Sequence, residues 1–159
     1  MPSTKCSDIV RIMVAEDGPP AVAALPLAAA GIAPSQARRF VIERLAAWQL
    51  SAWEASATLI VSELVTNALL HARTDMVVSL SRLETAVLLE VTDNSAQLPT
   101  QRRYSLHAGT GRGLNLVARL AQDWGVRAEG NGKTVWALLS ATDPEEVLDE
   151  LDLDSVEAL

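Results

Sequence analysis

The chain of 159 residues fits one domain and is long enough to enclose a sizeable core, and its 49% hydrophobic and 21% charged residues are those of an ordinary globular protein. One cysteine, Cys6, excludes an internal disulfide framework or a zinc site built from cysteines, which fits a reducing cytoplasm. The net charge of −7 is uneven: residues 143–159 hold 8 of the 20 acids and no base, which leaves 13 bases against 12 acids, a net +1, in residues 1–142 and argues against a basic nucleic-acid-binding face.

No run of about 18 apolar residues stands out. The alanine-rich stretch from Ala21 to Ala33 is broken by Pro26 and Gly31 and has no basic start, so neither a membrane span nor a secretion signal is expected. Residues 1–34 read as an N-terminal extension, with Ala21 to Ala28 as an edge strand because Pro26 lacks a ladder donor. Ser35 follows Pro34 as a suitable N-cap for a helix to about Leu50, with Phe40, Val41, Leu45 and Trp48 on one face. Ser51-Ala52-Trp53-Glu54 has the form of a capping box and starts a second helix that ends near Ala72. Glu63, Asn67 and His71 recur at intervals of four along it, a narrow polar stripe beside the apolar stripe of Ala57, Ile60, Val61, Leu64 and Ala68. A carboxylate and a carboxamide at the edge of a core cost free energy if unpaired. Either backbone and water satisfy them, or they face a cleft that holds a polar ligand; the stretch alone leaves both open.

Met76 to Leu83 and Ala86 to Thr92, flanking Glu84-Thr85, read as an antiparallel hairpin that Asp93-Asn94 ends abruptly. Residues 95–108, with Pro99, Arg102, Arg103 and His107, have no period and exceed the usual connection, as lids do. Gly109-Thr110-Gly111-Arg112-Gly113 then opens a helix in which Leu114, Val117, Leu120 and Ala121 recur up to Trp124. Backbone N–H groups uncovered at the positive end of a helix dipole suit phosphate oxygens, with a plain hinge as the alternative. Val126 to Glu129, the turn Gly130-Asn131-Gly132 and Lys133 to Leu139 form a last hairpin. Residues 35–142 thus form one domain, an α+β two-layer sandwich with helices on one face of a mixed, largely antiparallel sheet. Residues 143–159 form an acidic tail, with the solvated reading favoured.

Gly132-Lys133-Thr134 imitates the end of a P-loop, but Arg127 stands where its first glycine belongs and a strand follows. Thr134 is therefore expected to project into whatever cleft the sheet lines. Asp93 either closes its strand with an Asx-type turn or accepts a hydrogen bond from the exocyclic amine of adenine, a contact that guanine with its carbonyl does not make.

As a set, the stretches SELVTNALLHA, VTDNS, GTGRGLNLV and DWGVRAEGNGKTVWALL resemble the N box, G1 box and G2 box of the GHKL ATPases. That superfamily includes histidine-kinase catalytic domains and DNA gyrase. The similarity runs from about Ser35 to Leu139 and looks strongest to stand-alone members related to anti-sigma-factor serine kinases. The resemblance implies the Bergerat ATP-binding fold, with ATP and Mg²⁺ as cofactors. By position it implies Asn67 as an oxygen ligand of Mg²⁺, His71 as a helix cap or phosphate contact, and Asp93 as the reader of adenine, helped by Thr134. Gly109, Gly111, Arg112, Gly113 and Leu114 would hold phosphates through the backbone, and Glu63 would be the general base. The implied activity is that of a cytoplasmic serine/threonine protein kinase with a sigma factor or an anti-anti-sigma regulator as partner. Direct contact with nucleic acid or membrane is not implied, and a homodimer is left open. A non-catalytic ATP-binding switch is the alternative, because Ser95 and Gln97 stand where the G1 box usually has glycines.

Overall fold

The computed structural model describes residues 22–84, 86–95 and 111–140. Five strands, β1 (Val22–Leu27), β2 (Met76–Arg82), β3 (Ala86–Asp93), β4 (Asp123–Glu129) and β5 (Gly132–Ser140), form one sheet in the order β1-β2-β3-β5-β4. Three helices accompany them: α1 (Ala33–Ala47), α2 (Glu54–Asn67) and α3 (Gly111–Leu120). The expected α+β architecture is present, with one correction. All four strand pairings among the described residues are antiparallel, so the sheet is not mixed. Pro26 lies in the edge strand β1, where its missing donor breaks no second ladder.

The burial pattern separates the two faces of the sheet. Met76, Val78 and Leu80 of β2, Val87, Leu89 and Val91 of β3, and Val135, Ala137 and Leu139 of β5 share one core with Val41, Leu45, Ile60, Val61, Leu64, Val65, Leu114 and Val117 of the helices. Side chains alternate along a strand, so Asp93 and Lys133 belong to this helix-facing side. Thr92, Thr134 and Trp136 belong to the other.

Helix starts differ from the expected ones. α1 begins at Ala33 with Pro34 in its first turn, where a missing N–H costs nothing. Ser35 is not its N-cap: the hydroxyl donates to Ile32 O at 3.0 Å. Ser51–Trp53 form a 3₁₀ turn before α2, and neither start carries a side-chain cap, so the capping box does not form. The segment Ser51–Ala72 has 22 residues and contains an 18-residue window of mean hydropathy 1.2, enough in length and composition to cross a membrane. In this fold it is the core helix, with Ile60, Val61 and Val65 fully buried.

After Asn67 the helix widens into a π turn, Ala68–Ala72, closed by the N–H of Arg73 donating to Ala68 O at 3.1 Å. Arg73 is left-handed at φ 54°, a conformation that disfavours a side chain and ends the helix sharply. This wider turn rotates His71 away from the stripe that α-helical spacing defines.

Candidate nucleotide site

The end of the long helix and the end of β3 meet through a short connection. Arg73, Thr74 and Asp75 separate Ala72 from Met76, a span of at most roughly 14 Å between Cα atoms. Met76 pairs directly with Asp93. Two hydrogen bonds hold the junction: Asn94 N–H donates to Thr74 Oγ1 at 3.0 Å, and Asn94 Nδ2 donates to the carbonyl of Asp75 at 3.4 Å. β5 starts at the same end, with Lys133 opposite Asp93. The sheet order therefore brings Asn67, Asp93 and Lys133 to one end of the helix–sheet layer.

On the helix side, Asn67 is buried at 5% exposure and its Nδ2 has no hydrogen-bond partner. An orphaned buried amide atom costs about 1–3 kcal/mol. Rotation of the amide exchanges oxygen and nitrogen, so the same position can present an oxygen to a hard cation. Glu63, one α-helical turn earlier, is half-buried, and that burial holds its carboxyl above the ordinary value of 4.5. His71 lies in the π turn, half-buried and engaged in a contact of its own.

On the sheet side, Asp93 is 2% exposed and both of its oxygens are taken. Oδ1 accepts from the backbone N–H of Ser95 at 2.9 Å, the Asx-type turn, and Oδ2 pairs with Lys133 Nζ at 2.8 Å. Gly132 makes this approach feasible, since a Cβ at that position would overlap the carbonyl oxygen of Asp93.

Thr134 does not join Asp93. Its hydroxyl lies 2.7 Å from that of Thr92 and bonds Glu129 Oε2 at 3.2 Å, on the face away from the helices. The reason is the alternation of side chains: Lys133 takes the helix-facing position next to Asp93, which sends Thr134 to the opposite side. There Arg127 bridges Glu90 and Glu129.

The backbone of Gly111, Arg112 and Gly113 opens α3, where the first N–H groups of a helix lack intrahelical partners. The Arg112 side chain lies outside the described residues. Leu114 is in the core, which anchors that opening turn beneath α2. Gly109, Gln97, Arg102, Arg103, His107, the N-terminal extension up to Ala21 and the acidic tail also lie outside the described residues. Lys133 was not among the expected site residues. Its only sequence signal is its place after the Gly130-Asn131-Gly132 turn.

A family model described as "Histidine kinase-like ATPase domain" matches residues 25–139, and the chain belongs to that family. The class is thus an ATP-binding domain of the histidine kinase-like type. Among solved structures, the RsbU and RsbW domains of Rv1364c from Mycobacterium tuberculosis align with a TM-score of 0.57 and 21% identity. This chain contributes 77% of its length to the alignment and spans 33% of that one, a likeness in fold. No curated protein matches the chain.

Proposed function

We propose that this protein binds ATP with Mg²⁺ at the junction of α2 and the sheet, and is a cytoplasmic serine/threonine kinase of the anti-sigma type acting on a partner regulator. The single observation that carries the binding half is the orphaned amide of Asn67, buried where the family's metal ligand is expected. The residues present fit the cofactors: an amide oxygen for a hard cation, and the backbone N–H groups of the first turn of α3, which have no intrahelical acceptor, for phosphate. ATP, when bound, supplies the phosphoryl group. Glu63 would take the proton of the acceptor serine hydroxyl as that oxygen received the phosphoryl group in place of ADP. Burial raises its proton affinity toward the working pH, which improves a general base.

A second reading, an ATP-binding switch that only holds a partner, draws support from Asp93, whose oxygens are both engaged. Incubating the chain with labelled ATP and a candidate serine-bearing regulator separates the two. The kinase reading expects label on a partner serine and a loss of about 10²–10⁴-fold in Glu63→Gln. ATP binding without transfer to any candidate favours the switch.

A further inference from the structure

We propose that Lys133 is the second base-reading residue of this site, and that the Lys133–Asp93 pair accepts guanine as well as adenine. This rests on the nucleotide-site reading above and concerns which purine that site admits.

Three observations carry it. Lys133 Nζ lies 2.8 Å from Asp93 Oδ2 with the two side chains at 5% and 2% exposure, so the ammonium is a fixed part of the surroundings of that carboxylate. The two residues are register partners at the ends of β3 and β5, which holds them side by side on the helix-facing surface. Thr134, the other polar candidate on β5, is turned to the far face and bonded to Thr92 and Glu129.

An ionised carboxylate is acceptor-only. Alone, it satisfies the amine at C6 of adenine and repels the carbonyl that guanine carries at the same position. A lysine ammonium adds up to three donors. Adenine presents a donor at N6 next to an acceptor at N1, and guanine presents an acceptor at O6 next to a donor at N1. A coupled acceptor and donor meets either edge by exchanging which atom takes which group. Oδ1 is committed to Ser95 and Oδ2 to Lys133, yet each oxygen has a second lone pair, so a base amine still finds an acceptor. The pair stays together when a base arrives, because separating it leaves a buried charge uncompensated. The donor is therefore present whichever purine enters.

The test measures the affinities of the full chain for ATP, GTP and inosine triphosphate with Mg²⁺ by calorimetry. Inosine carries the O6 and N1–H of guanine without its 2-amino group and so isolates the proposed contact. The three affinities are expected to fall within about tenfold of one another, a spread of about 1.4 kcal/mol. Lys133→Met is expected to weaken GTP and inosine triphosphate at least about tenfold more than ATP, and Lys133→Arg to retain both, since it restores the donor. Wild-type preference for ATP over inosine triphosphate beyond about a hundredfold, or an equal effect of Lys133→Met on all three, overturns the proposal. The wild-type ratio alone decides it if Lys133→Met does not fold. Failure of the underlying site looks different: no nucleotide binds the wild type, or Asp93→Asn leaves every affinity unchanged.

Discussion

On the helix side of the site Asn67 keeps a buried amide nitrogen without a partner, whereas on the sheet side Ser95 and Lys133 already satisfy both oxygens of Asp93. One half keeps a buried polar atom without a partner, and the other has a partner for each carboxylate oxygen. Buried polar groups are nearly always paired in folded proteins, so each exception calls for an explanation, Asn67 Nδ2 here and Arg127 Nη1 on the other face of the sheet. The contrast places the uncompensated desolvation at Asn67 and the internal pairing at Asp93, so removing the polar group is expected to have opposite signs at the two ends.

The largest effect is expected at the sheet side. Asp93→Ala leaves the buried ammonium of Lys133 unpaired and costs about 3–5 kcal/mol, read from chemical denaturation. Loss under about 1 kcal/mol there shows a pair that contributes little, as exposed pairs do. At the helix side Asn67→Leu exchanges an orphaned amide for an apolar group of similar size. It is expected to stabilise the fold by about 1–2 kcal/mol while removing any response to Mg²⁺. A destabilised Asn67→Leu protein erases the contrast.

The smallest effect concerns Glu63. Burial raises its folded-state carboxyl above 4.5, so the folded chain holds that proton more tightly than the unfolded chain does. The stability this contributes is full below the ordinary value and is lost as pH rises through the raised one. Glu63→Gln, which cannot ionise, is thus expected to melt above the wild type at neutral pH, and the gap to close on acidification toward 4.5. A pH-independent gap contradicts the burial argument.

Much of this arrangement is legible in the residues themselves. The abrupt end of β3 at Asp93 follows from an apolar run meeting Asp93-Asn94, and the Glu63–Asn67 stripe follows from helical spacing. The face of β5 does not. Val135, Ala137 and Leu139 alternate with Trp136 and Leu138, so both faces are apolar and nothing local tells whether Lys133 or Thr134 faces the helices. Only the pairing of β3 with β5, a contact between distant segments, decides it. The π turn is hidden for a related reason. Ala68 to Ala72 are ordinary helix formers, and the widening shows itself only where Arg73 adopts a left-handed backbone.

The most direct test is ATP affinity with and without Mg²⁺ in the wild type and in Asn67→Ala. A metal held by the Asn67 amide predicts that Mg²⁺ tightens ATP binding at least about tenfold in the wild type and leaves Asn67→Ala nearly unmoved. The same Mg²⁺ enhancement in both proteins contradicts it.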